Sequence, residues 1–117
     1  MKLPLSLTVR NSYEERLMDK PSIESDICPF CGAFATNRHH IVPKSRGGAG
    51  SPTVCVCGMG NTSGCHGKLH NRTLHLDWRN DEWHYLRTSE PTKRDKALEM
   101  DGWQPLRTQY YNKKNAF

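Results

Sequence analysis

All five cysteines of this chain and five of its six histidines fall between residues 28 and 75, a stretch that contains no aspartate or glutamate. No other feature narrows the possible folds so far. Thiols and imidazoles that bind metals and move protons are crowded together where no local carboxylate can neutralise a cation. That excludes a calcium loop of the EF-hand kind and a two-metal centre built from its own acids, since both need Asp or Glu oxygens. Softer divalent metals remain, and Arg38, Lys44, Arg46, Lys68 and Arg72 offer a positive surface to an anion. The flanking segments are nearly neutral, so the net charge of +5 sits essentially in this window. Nucleic-acid phosphate is the commonest partner of such a patch, with a solvated basic face as the plain alternative.

Apolar burial alone does not account for a stable chain here. Leu, Ile, Val and Phe make up 20 of the 117 residues, a share below about 20%, where a globular core is no longer assured. Small domains of that kind rely on a metal or disulfide staple. No apolar run approaches the roughly 18 residues that cross a bilayer, and the first residues carry no small-residue cleavage site ahead of Arg10. We therefore expect no membrane association and a cytoplasmic location, where thiols stay reduced and cysteine pairs point to metal before disulfides.

The expected class is α+β, one domain in three stretches. Residues 1–27 read as an N-terminal helical extension: Ser12-Tyr-Glu-Glu15 has capping-box spacing, Pro21 must end the helix, and 22–27 read as a linker. Residues 28–75 form the core. A strand over Arg38–Val42 is closed by Pro43, a glycine-rich connection leads to a second strand over Thr53–Cys57, and a helix follows with His66 and His70 on one face. Gly67 weighs against a regular helix there. Residues 76–117 supply a hairpin, a short helix and a tail that pack on the core. Leu74, Leu76 and Trp78 alternate on one strand, and Trp78 faces Trp83 if Asn80-Asp81 is the turn. A helix from Thr92 through Met100 is ended by Gly102, Trp103 and Leu106 fold back, and Tyr110–Phe117 reads as a mobile tail.

Cys28-Pro-Phe-Cys31-Gly is a knuckle whose two sulfurs can reach one metal. Cys65 supplies a third ligand, and the fourth is Cys55 or Cys57, which strand alternation places on one face. Cys57 adjoins the Gly58-Met-Gly60 bend and is the choice, leaving Cys55 as a buried thiol. Four thiolates suit a closed structural zinc, whose binding energy is folding energy. Outside that knot, His39, His40, His66 and His70 form an adjacent pair and a helical pair. Imidazole is both a ligand for divalent metals and a base near neutral pH, and phosphodiester hydrolysis needs both functions.

These residues resemble a known family. Cys28-x-x-Cys31, then His39-His40-Ile-Val-Pro-Lys-Ser-Arg-Gly-Gly48, then Cys57-Gly-x-Gly followed by Gly-Cys-His66-Gly-x-x-His70, are similar to zinc-bearing HNH endonucleases of the small type common in bacteriophages. The resemblance implies a ββα-metal motif and a DNA endonuclease leaving 5′-phosphate and 3′-hydroxyl ends. It implies His40 as the general base, with His39 and His66 holding a catalytic divalent ion (Mg²⁺, Mn²⁺, Ni²⁺ or Zn²⁺). His70 would be a third ligand or a group near the phosphate. It implies a structural zinc on Cys28, Cys31, Cys57 and Cys65, and DNA contacts from Arg38, Lys44, Arg46, Lys68 and Arg72. If phage-encoded, the protein would work in the bacterial host cell. Because neighbours on a strand point to opposite faces, His39 and His40 share a site only if the strand bulges or ends there. One departure stands out: the slot of the family's middle Asn holds Pro52, and Asn61 lies elsewhere by spacing. Two other readings fit part of the pattern, a non-catalytic zinc-knuckle nucleic-acid binder and an accessory subunit of a phage DNA-packaging terminase.

Overall fold

A computed structural model describes residues 12–44, 47 and 50–106. Arg46, the Ser12 side chain of the expected capping box, and the tail Tyr110–Phe117 lie outside the described residues. Helix α1 (Ser12–Leu17) buries Tyr13 and Leu17, one turn apart on the same face. It is no appendage. The Tyr13 hydroxyl donates to the Leu76 carbonyl, and Arg16 Nη1 donates to the Trp78 carbonyl at 3.1 Å. Those two carbonyls, two residues apart, lie on the open edge of strand β3 (Leu74–Arg79), so α1 closes an edge that could otherwise pair with another chain. Residues 22–27, expected as a linker, are also built in. The Ile23 N–H donates to the Thr53 carbonyl at 2.7 Å and its carbonyl accepts from Cys55 N–H at 3.0 Å. Ile23 is fully buried alongside Val54.

Strands β1 (Asn37–His40) and β2 (Thr53–Val56) pair antiparallel in regular register, from Asn37 opposite Val56 to His40 opposite Thr53. Both are shorter than expected. Ile41 and Val42 leave the ladder to enter the core, although Ile41 N–H still reaches the Pro52 carbonyl at 3.0 Å. Helix α2 (Gly64–His70) follows and lies against β2 and β3. The hairpin of β3 and β4 (Glu82–Arg87) turns at Asn80 and Asp81, whose φ values of 51° and 64° are those of a type I′ turn. Trp78 stands opposite Trp83 with ring centroids 5.3 Å apart, edge to face.

Helix α3 (Arg94–Leu98) is shorter than the stretch expected from Thr92 to Met100. Thr92 does not cap it, because its hydroxyl donates to the Glu90 carbonyl at 2.9 Å. Trp103 folds back as expected, its indole N–H on the Ala97 carbonyl at 3.1 Å. The two residues after it form a third strand, β5 (Gln104–Pro105), against β4, which sequence alternation did not reveal. The core between the two sheets is made by Leu17, Ile23, Val42, Val54, Val56, Leu74 and Trp83. Strand β3 is buried on both faces. His75 and Asp77 on its second face are covered too, and Asp77 accepts Arg16 Nη2 at 2.9 Å and Arg79 Nε at 2.8 Å. No helix among the described residues is long and apolar enough to cross a membrane.

Gly67, which counted against a helix, proves to be required by packing. A Cβ there would meet the Thr62 backbone carbon at 2.7 Å. Helix propensity alone favours Ala over Gly by about 1 kcal/mol, whereas overpacking against backbone costs about 1–3 kcal/mol. Gly67→Ala is therefore expected to lower stability in urea denaturation, and a rise in the midpoint would show that Thr62 yields freely.

Candidate metal centres and the adjoining cavity

The Sγ atoms of Cys28, Cys31, Cys57 and Cys65 lie within 4.8 Å of one another. They come from three places: the knuckle, the end of β2 and the first turn of α2. Cys28 N–H donates to the Ala33 carbonyl at 2.7 Å and Gly32 N–H to the Cys28 carbonyl at 2.9 Å, which curls the knuckle around its thiols. Cys31 and Cys57 sulfurs are 3.4 Å apart, and Cys65 N–H donates to Cys57 Sγ at 3.3 Å. A tetrahedral zinc with arms of about 2.3 Å would set its sulfurs about 3.8 Å apart, so the four fit a metal such as zinc. A hydrogen bond from Cys65 holds the Cys28 thiol down at about 4, helped by backbone amides of Cys57, Phe30 and Cys31. The same hydrogen bond, with burial, pushes Cys65 far up. One thiolate thus forms readily, and Cys65 needs a cation before it follows. Cys55, half-buried opposite Arg38, is outside the cluster.

A second cluster holds His39 of β1 and His66 and His70 of α2, with one ring nitrogen of each again within 4.8 Å. Ring centroids are 5.2 Å (His39 to His66), 4.9 Å (His39 to His70) and 4.8 Å (His66 to His70). The Nε2 atoms of His66 and His70 face each other at 3.2 Å, close to the separation of two nitrogens on arms of about 2.0–2.1 Å. Burial, and the neighbouring His70, His66 and Arg94, hold His39 down at about 3, so its ring is neutral at pH 7. His66 is lowered for the same reasons, burial first and His70 second, with the Gly60 backbone opposing. Its Nδ1 is buried without a well-formed hydrogen bond. His70 is exposed, which leaves the group open to solvent on one side. Three imidazoles without a carboxylate suit a borderline metal better than Mg²⁺.

His40 is not brought into this group. Pairing along β1 is regular, without the bulge that would turn two adjacent histidines to one side, and β1 ends at His40. A cavity of about 690 Å³ lies on the His39 side, where His39, Ile41 and Pro43 line it and His40 does not. Among the expected DNA contacts that lie within the described residues, Arg72 alone lines it. Arg38 faces elsewhere, donating to Thr53 Oγ1 at 3.1 Å with Glu24 at 3.7 Å, and Lys44 and Lys68 are exposed away from the cavity.

Sequence reasoning passed over three cavity residues that matter, His75, Lys93 and Arg94. His75 stood within the acid-free window, and that was the only signal. Its Nε2 sits 2.9 Å from the Arg72 carbonyl, which requires the proton on Nε2 and leaves the Nδ1 lone pair unengaged. Burial is the main cause that lowers it below the ordinary imidazole range. Arg94 is tied by Nη1 to Glu14 Oε2 at 3.1 Å and lies over the Tyr13 ring at 4.9 Å. These partners are some 80 residues apart, so no local pattern announces them.

The chain matches no family model, no curated protein and no solved structure. What stands is a small α+β protein with a four-cysteine cluster able to hold a metal. Replacement distinguishes the thiols. Cys57→Ser is expected to lose the bound metal and most of the folded signal, while Cys55→Ser keeps the metal and costs less than about 1.5 kcal/mol. Metal analysis beside circular dichroism checks both.

Proposed function

We propose that this protein is a metal-dependent DNA endonuclease of the HNH kind, with β1, β2 and α2 acting as a ββα-metal motif. The observation that supports it best is the meeting of His39, His66 and His70 from a strand and a helix, apart from the four cysteines. Two nearby donor sets of different chemistry suit two tasks, structural zinc on sulfur and a catalytic ion on nitrogen. A divalent ion held there would supply positive charge to a phosphodiester and its leaving oxygen. His39, kept neutral by burial, would hold its lone pair ready, and the exposed side at His70 would admit the substrate. The donor set favours Ni²⁺ or Zn²⁺ over Mg²⁺.

The base that takes the proton from attacking water is His40 by the family resemblance. A specific observation favours a second reading: His75 lines the same cavity as His39, with its tautomer set and Nδ1 open. Supercoiled plasmid with added Mn²⁺ or Ni²⁺ tests both. His66→Ala should abolish nicking while the cysteine-bound metal remains. Loss of the base should cost at least about 100-fold, so the residue whose Ala variant drops by that much, with metal content unchanged, is the base. Undiminished nicking by His66→Ala would overturn the three-histidine group as the catalytic metal site.

A further inference from the structure

The cavity beside His39 has a lining that the three-histidine group does not explain. Three cations reach it from two directions. Arg72 comes from the turn after α2, and Lys93 and Arg94 come from the start of α3. Glu14 and Asp95 are the carboxylates on its wall. Glu14 is 3% exposed and spent on Arg94, and Asp95 Oδ1 accepts the Lys96 N–H at 2.9 Å. Arg94 is held on two sides, by the Glu14 carboxylate and the Tyr13 ring face, so little side-chain freedom is left to lose on meeting a ligand. Its fork has more donors than one carboxylate oxygen can use.

Arg72 carries an independent sign. Helix α2 ends with the Thr73 N–H on the Lys68 carbonyl at 3.1 Å, and the residue between cap and closure, Arg72, has φ 68°. That left-handed position is where helices ordinarily place Gly, because a side chain is disfavoured there. The strained turn also aims the Arg72 carbonyl at two donors, the Thr92 N–H at 3.0 Å and His75 Nε2 at 2.9 Å. Glycine would serve that backbone better. The arginine side chain at the cavity rim therefore stands against the preference of its own backbone.

We propose that this cavity is a phosphate subsite, in which Arg94, Arg72 and Lys93 grip a backbone phosphodiester of duplex DNA next to the one presented to the three histidines. It deepens the nuclease reading and rests on it, yet it is carried by residues outside the resembling motif except for Arg72. Arg94 takes the phosphate oxygens by its free N–H groups, while Glu14 fixes its orientation. Lys93 and Arg72 act at the mouth as charges, positioning the strand without reading its sequence.

The test is binding of a duplex oligonucleotide by the full-length zinc-loaded chain, without added divalent ion, followed by fluorescence anisotropy across a salt series. Lys93→Gln should weaken binding and lower the slope of log affinity against log salt by about one. Arg72→Gly should do the same while its thermal midpoint stays level or rises, an opposition that a merely structural arginine would not produce. Glu14→Gln with Arg94→Gln removes the buried ion pair as a pair, which avoids a lone buried charge, and should weaken binding with a smaller change of slope, because the net charge is unchanged. Unchanged affinity and slope in all three variants, with zinc content intact, overturn the subsite even if the wild type cuts DNA. Lowered slopes in a protein that cuts with no metal would sink the nuclease reading and leave the cavity as a phosphate site of a DNA-binding protein. A wild type without salt-dependent DNA affinity overturns both.

Discussion

Four sulfurs converging on one point are the constraint on which the rest of this structure depends. Cys28 and Cys31 hold the knuckle, Cys57 marks the end of β2, and Cys65 lies in the first turn of α2. Joining them sets the angle between the β1–β2 ribbon and α2. His66 is the next residue after Cys65, so the same junction brings it to the ring of His39. The backbone at this junction is tight: a Cβ on Gly64 would lie 2.6 Å from the Gly58 Cα, and Asn37 and Thr36 both donate to the Gly58 carbonyl. With so few large apolar residues, burial could not hold that geometry alone, and a metal held by the four sulfurs would add its binding energy to folding.

The second support comes from the flanks. Helix α1 satisfies the free carbonyls of β3, and its Glu14 and Arg16 meet Arg94 and Asp77 across more than sixty residues of chain. A buried carboxylate such as Asp77, 2% exposed, is tolerable because two guanidinium groups accompany it. Of these pairs, Glu14 with Arg94 forms part of the cavity wall beside His39. Helix α1 is thus part of the architecture that frames His39.

The legible parts of the fold were those with local signatures. Alternation and a two-residue turn placed the Trp78–Trp83 hairpin, and spacing of four put His66 and His70 on one face. The knuckle spacing and the bend after Cys57 pointed to the thiols that do assemble. The missed parts depend on distant partners. Ile23 pairs with β2 because Val54 offers an edge, not because residues 22–27 look like a strand. Strand β5 has two residues, too few for any periodicity to register. His75 and Asp77 occupy polar slots of an alternating strand, which on a half-buried sheet would face water. Here α1 and the approach to α3 cover that face.

Charge shows the same limit most clearly. The acid-free window locates the excess of positive residues along the chain but not their directions in space. Arg38, adjacent to the His39 ligand position, turns to the other face and meets Glu24, whereas Arg94, from a nearly neutral flank, acts directly on both His39 and His75. Zinc-bound thiolates would further reduce the window's own excess, since four negative sulfurs outweigh one divalent ion. The positive field at the cavity therefore belongs to both parts of the chain. The window contributes imidazoles and Arg72, and the flank contributes the guanidinium that Glu14 and Tyr13 orient. A basic cavity wall of this kind is a property of the closed fold, so residues 28–75 taken alone would carry both donor clusters without the Glu14–Arg94 wall beside them.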